Sequence, residues 1–249
     1  MPGFAKDINS SANATFKELQ SLVTTKGIQK HRSAIISGEK FIHEILQDHS
    51  ERVTAWITMD ETQPPTPTLT WYRLAKPLFD ELDVFGTGKP LLVVSVSELS
   101  MYEEKRPWPI GCTLFIPFQN PDNCGAVIRT AAAFGVERVV LLKEAAHPFH
   151  PKSARAAGPA LFKVELLRGP SISELNFTNI PYVSLSGEGS ALKAYKFPER
   201  FALVPGVEGP GVPQHLRANA LSIPIKADVE SLNAATATAI ALYEWKRLS

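Results

Sequence analysis

The sequence predicts an α/β protein in two parts. Three observations carry that prediction. From about residue 112 onward, short β-branched apolar runs alternate with helix-patterned segments, as a parallel sheet covered on both faces requires. Over residues 1–100 helical and strand patterns also alternate, as in a small α/β domain. Between them YEEKRPWPIG (102–111) is charged and then proline-rich, which sets a domain boundary near residue 105. The expected domains are residues 1–105 and 106–249.

In the first part, residues 12–24 place Phe16, Leu19 and Val23 at helical spacing. KGIQKHRS (26–33) is predicted as a polar, basic loop. Phe41, Ile42, Ile45 and Leu46 form one face of a helix between Gly38 and His49. VTAWITM (53–59) and PLLVVSVS (90–97) are predicted strands. QPPTPT (63–68) is a loop, and residues 71–85 are expected to be helical on either side of Pro77.

In the second part, strands are expected at 113–118, 138–143, 160–167, 182–186, 201–206 and 220–225. Helices are expected at 124–135 with Gly135 as the terminating residue, at 152–158, at 171–176 and at 229–247. The last is long and alanine-rich.

Composition narrows the function. The chain has 249 residues, 44% hydrophobic and 20% charged, enough apolar material for a sizeable core. No apolar run approaches the roughly 18 residues of a membrane span. MPGFAKDINSSAN lacks the apolar stretch of a signal peptide, and two cysteines make neither a disulfide framework nor a zinc cluster. A reducing, cytoplasmic setting is expected. The net charge of +1 does not suit a general nucleic-acid coat. Residues 1–110 carry 12 basic and 14 acidic side chains, and residues 111–249 carry 14 and 11. Any nucleic-acid contact is therefore local, and an ordinary solvated surface is the better reading of the charge alone.

Several familiar chemistries lack their residues. Gly86-Thr-Gly88 and Gly187-Glu188-Gly189 lack the third glycine of a dinucleotide site. The glycine-rich stretch at 206–211 has no Gly-Lys-Ser/Thr. His147 and His150 have no third ligand nearby, so no metal site is expected.

Three segments stand out. Asn120-Pro-Asp-Asn123-Cys-Gly125-Ala-Val-Ile-Arg129 follows a strand and opens a helix. Asn123 is placed as its N-cap, and Arg129 lies on an otherwise apolar helix. A plain helix start with one snorkelling arginine reads the same way. Leu203-Val-Pro-Gly206-Val-Glu208-Gly209-Pro-Gly211 takes a buried strand into a tight loop with one acidic group, at the strand end where α/β proteins bind ligands. An ordinary turn is the plainer reading. Leu221-Ser-Ile223-Pro224-Ile225 leads through Ser231-Leu232-Asn233 into the last helix, where two small polar groups could simply be caps.

Together the three segments resemble the SpoU (TrmH) family of RNA ribose 2′-O-methyltransferases, in the SPOUT superfamily. That family carries Asn-x-Gly-x-x-x-Arg after a strand, then a hydrophobic strand into Gly-x-Glu-Gly-x-Gly, then Ile-Pro-hydrophobic followed by Ser-Leu-Asn. All three stand here in order, and the likeness covers residues 112–247. KHRSAIISGEKFIHEIL (30–46) is similar to the small substrate-binding domain of many members.

The resemblance implies a C-terminal SPOUT domain with a deep trefoil knot, S-adenosyl-L-methionine as cofactor, and a homodimer. It implies methyl transfer to a ribose 2′-hydroxyl, on ribosomal RNA ahead of transfer RNA. Arg129, Asn123, Glu208, Ser231 and Asn233 would form the catalytic set, with the other four holding Arg129 and the ribose. Gly206, Ile223 and Leu232 would line the cofactor pocket, with Leu203, Val204 and Ile225 beside them. Lys26, Lys30, Arg32 and Lys40 would meet RNA phosphates. A SPOUT-fold RNA-binding or assembly protein without turnover is the alternative; the intact catalytic set favours the enzyme.

Overall fold

The computed structural model describes residues 4–226 and 228–248. Its first unit takes Met1–Glu98 with His147–Pro159, and its second takes Leu99–Ala146 with Ala160–Ser249.

The first unit contains β1 (Lys6–Ile8), α1 (Ala14–Ser21), α2 (Thr25–His31), β2 (Ser33–Ile36), α3 (Glu39–Asp48), β3 (Val53–Thr58), β4 (Thr70–Leu74), α4 (Lys76–Leu82) and β5 (Leu91–Ser95). The strands form one mixed sheet in the order β1-β4-β3-β5-β2. β5 runs antiparallel to both β2 and β3, and the other pairs are parallel. Phe16, Ile57, Phe79 and Leu91 are fully buried in its core.

Two segments differ from expectation. Residues 26–33 are not a loop. Thr24 Oγ1 accepts from Gly27 N at 3.1 Å and starts α2, whose Ile28 is buried. One buried isoleucine and a cap outweigh the segment's polar appearance. Arg32 then takes a left-handed conformation at φ +48°, ending the helix. Residues 71–74 are strand rather than helix. β4 is hydrogen-bonded on both sides, and Trp71 Nε1 donates to Thr58 Oγ1 at 2.9 Å. Pro77 lies at the start of α4, where its missing N–H costs nothing.

The second unit carries β6 (Gly111–Ile116), α5 (Pro121–Ala133), β7 (Arg138–Leu141), β8 (Glu165–Arg168), β9 (Tyr182–Ala191), β10 (Arg200–Val204), β11 (Ala220–Ser222) and α7 (Ala234–Arg247); the short α6 (Pro151–Ala157) falls in the first. Its six strands form a wholly parallel sheet, ordered β11-β9-β10-β6-β7-β8. Every residue of β6 is buried, as expected for a central parallel strand.

Several second-part boundaries move; β9 runs five residues past the expected end at 186, to Ala191, where β11 pairs with it. Residues 158–162 make a 3-10 turn, so only Glu165–Arg168 of the expected strand joins the sheet. Residues 172–174 form a turn, held by the Glu144 carboxylate accepting from Ile172 N at 3.2 Å. β11 stops at Ser222, two residues before Pro224, which has no N–H for a ladder. The last helix begins at Ala234, and Thr238, Ala241, Leu242 and Trp245 form its buried face. At φ +92°, Gly111 lies against the Trp245 ring, which a Cβ would meet at 2.7 Å. Among the described residues, no helix is long and apolar enough to cross a membrane.

Candidate active site

The loop between β6 and α5 is organised by one side chain on itself and one from far along the chain. Asn120, not Asn123, caps α5: its Oδ1 accepts from Asp122 N at 2.8 Å and from Asn123 N at 3.4 Å. With Pro121 occupying the first turn, Asn120 is the last residue still extended, so the cap falls there. Asn123 is one turn into the helix, which frees its amide for other partners.

Those partners join the three motifs. Glu208, in the loop after β10, accepts from Gln119 N at 3.0 Å and Asn120 N at 3.1 Å through Oε2. Its Oε1 accepts from Asn123 Nδ2 in a short hydrogen bond. Asn123 Oδ1 in turn accepts from Asn233 Nδ2 at 3.3 Å. Asn233 also caps α7, its Oδ1 accepting from Ala235 N at 2.9 Å and Thr236 N at 3.1 Å. Asn233 thus spends its oxygen on the helix and its nitrogen on Asn123. Glu208, Asn123 and Asn233 form a continuous chain of hydrogen bonds across segments 85 and 110 residues apart.

Beside this chain lies a cleft of about 720 Å³, within the roughly 300–1,000 Å³ of small-molecule sites. Its walls come from residues 185–187, 205–209, 211–212, 221–226 and 229–234, with Arg217 and Ala237. Gly206, Ile223, Ile225, Leu232, Ser231, Glu208 and Asn233 all border it. Gly206 is held against the opposite limb of its own loop. A Cβ there would lie 2.7 Å from the Gly211 carbonyl carbon and 2.8 Å from its Cα, both backbone. The loop is closed by Val207 N donating to Gly211 O and Gly211 N donating to Val207 O, each at 2.9 Å. Leu203 and Val204 do not border the cleft. They are fully buried in β10 and support its wall from within the sheet.

The structure does not bring Arg129 to the Glu208 chain. Arg129 is exposed on α5, and among the described residues it has no hydrogen-bonded or ionic partner. Six residues after Asn123, it projects about 120° around the helix from it. Lys26 and Lys30 are exposed on α2 and Lys40 on α3, while Arg32 Nη2 meets Glu98 at 3.3 Å. His147 Nδ1 accepts from Phe149 N at 3.2 Å; burial and the neighbouring His150 lower its pKa to about 4.

Sequence reasoning missed three contributors: the capping role of Asn120, the backbone amides of Gln119 and Asn120, and the β9 wall at 185–187. The first had a signal, since Pro at the first helical position points to the residue before it as cap. The others depend on tertiary pairing and leave no local pattern.

The SpoU rRNA Methylase family profile matches residues 114–243. The chain is 46% identical over 249 residues to the ribosomal RNA small subunit methyltransferase G 2 of Syntrophobacter fumaroxidans, covering 98% of this chain and 50% of that protein. It therefore spans about half the length of that relative. It is 32% identical over 248 residues to the 23S rRNA (guanosine(2553)-2′-O)-methyltransferase RlmP of Bacillus subtilis, covering 96% of this chain and 98% of that one. The fold matches an AdoMet-bound rRNA methyltransferase from Sinorhizobium meliloti with a TM-score of 0.80 at 19% identity, over 98% of both chains. With over half the chain matched by the family profile, and a relative above 30% identity aligned nearly end to end, the chain belongs to the SpoU rRNA Methylase family.

Proposed function

We propose that this chain is an S-adenosylmethionine-dependent RNA methyltransferase acting on a ribose 2′-hydroxyl of ribosomal RNA. The single observation that carries the reading is the Glu208–Asn123–Asn233 chain beside a cleft of cofactor size. It ties the family's three motifs into one site. The relative aligned over nearly its whole length is named for 2′-O-methylation of 23S rRNA, and the longer one for the small subunit. Ribosomal RNA is the class common to both names.

The residues fit the cofactor. Gly206 leaves the loop narrow, Ile223 and Leu232 offer apolar wall, and irregular backbone over 205–212, 223–226 and 228–233 presents amides that can read an adenine edge. When bound, S-adenosylmethionine supplies a methyl group on a positively charged sulfur. The protein's share is alignment and charge. Glu208 fixes the turn before α5, so Asn123 holds its place beside Asn233. Ser231, exposed on the cleft wall, and Asn233 orient the ribose. Arg129, exposed and without a partner among the described residues, clamps an RNA phosphate and stabilises the oxygen that loses its proton. A guanidinium keeps its proton throughout the working pH range and is poorly suited to act as the base itself.

Residues 1–105 serve as the substrate-binding part, with Lys26, Lys30, Arg32 and Lys40 on phosphates, and 106–249 as the methyltransferase part. RNA of this kind is recognised through shape, loops and backbone. The C-terminal chain threads a loop to form a trefoil knot around the cleft; the gathering of 205–212, 221–226 and 229–234 into one wall supports this. A homodimer is supported by the exposed apolar pair Ile240 and Tyr243, three residues apart on one side of α7. The setting is the cytoplasm.

The test is methyl transfer from labelled S-adenosylmethionine to total RNA from a strain lacking this gene, with Arg129→Ala alongside. Label in one ribosomal RNA species, lost in the variant, is expected. Absence of both label and cofactor binding would refute the proposal.

A further inference from the structure

Four charged side chains border the cleft: Glu208, Arg217, Lys226 and Glu230. Glu208 is committed to the β6–α5 turn, and Lys226 is paired with Asp228 at 3.3 Å on the open surface. Arg217 is different. It sits in the 3-10 turn Gln214–Asn219, beside the buried Leu216, whose carbonyl accepts from Ser184 Oγ at 2.8 Å. That buried bond fixes the turn to β9. Arg217 Nε donates to Val212 O at 3.0 Å, anchoring the guanidinium against the second limb of the cleft loop. Its Nη1 reaches Glu188 Oε2 at 3.4 Å, and Glu188 is 84% exposed.

One end of this guanidinium is therefore fixed by backbone, and the other meets a long, solvated partner. Exposed pairs of that kind contribute little and exchange readily. An arginine fork held in one orientation is suited to a carboxylate or phosphate taken through parallel N–H donors. We propose that Arg217 binds the carboxylate at the amino-acid end of S-adenosylmethionine, taking it in exchange for Glu188. The proposal rests on the cofactor reading above. An RNA phosphate offers the same chemistry to the same fork; the place of Arg217 on the cleft wall, with its Nε bonded to Val212 of the cleft loop, favours the cofactor.

The experiment is calorimetric titration of the full chain with two nucleosides, S-adenosylhomocysteine and 5′-methylthioadenosine. The second lacks the amino-acid end. Arg217→Ala is expected to weaken S-adenosylhomocysteine about 10- to 100-fold, the scale of a charge-assisted pair, and to leave methylthioadenosine unchanged. Glu188→Gln, a surface change, is expected to tighten S-adenosylhomocysteine alone, and it keeps the test open if Arg217→Ala fails to fold. Equal weakening of both ligands would make Arg217 merely structural and overturn the proposal. So would loss of RNA retention on a filter with cofactor binding intact, which would assign the fork to phosphate. If the unaltered protein binds neither nucleoside, the cofactor reading fails first and this proposal with it.

Discussion

Glu208 accepts three hydrogen bonds with two oxygens, two of them from backbone amides that no other side chain satisfies in the same way. Glu208→Gln turns one of those oxygens into a donor facing donors. It should cost about 1–3 kcal/mol of stability and reduce methyl transfer at least about 10-fold, read by denaturant melts and single-turnover assays. Asn233 separates the two effects. Asn233→Asp keeps the helix cap and removes the donor to Asn123. It should change stability by less than about 0.5 kcal/mol while lowering activity. Asn233→Ala should lose about 1 kcal/mol as well. Arg129→Lys keeps the charge and loses the fork, so a clear fall in kcat is expected; full activity would rule out a bidentate clamp. At this scale the sequence singled out Asn123, Glu208 and Asn233, which the fold joins by hydrogen bonds, and Ser231, which borders the cleft, because family motifs name residue types. It misplaced the cap by three positions, and among the described residues Arg129 bonds to none of the four.

Elements were legible where hydrophobic pattern decides and less so where caps and pairing decide. The central strands β6, β7 and β10 and helix α5 follow from apolar runs and spacing. α2 was hidden because its charged residues outnumber the one buried isoleucine. β4 was hidden because Trp-Tyr-Arg-Leu suits either helix or strand until both neighbours pair with it. Caps give this scale its prediction. Asn120→Ala should destabilise α5 by about 1 kcal/mol, measured as a lower melting temperature and faster amide exchange in its first turn. Gly206→Ala forces a Cβ against the Gly211 backbone in the cleft loop, and calorimetry should show cofactor affinity falling more than global stability.

For the molecule as a whole, the parallel sheet was readable but the cleft was not, since its walls are drawn from stretches up to about 50 residues apart that meet only in the fold. A global property also follows from one buried group. His147 has its pKa lowered to about 4 by burial and by His150. Its unfolded counterpart titrates near 6.5, so the unfolded chain holds more protons between those values. The stabilisation from keeping His147 neutral is therefore complete above about pH 6.5 and fades as pH falls toward 4. Denaturation midpoints should decline across that window, and His147→Gln should flatten the decline. The central claim, that the cleft and the Glu208–Asn123–Asn233 chain direct a methyl group to a ribose, is tested most directly by the product. Labelled RNA from the unaltered protein, digested to nucleosides and resolved by mass spectrometry, should carry its label in a 2′-O-methylnucleoside and lose it with Glu208→Gln. Label on a base, or none at all with cofactor bound, would contradict the account.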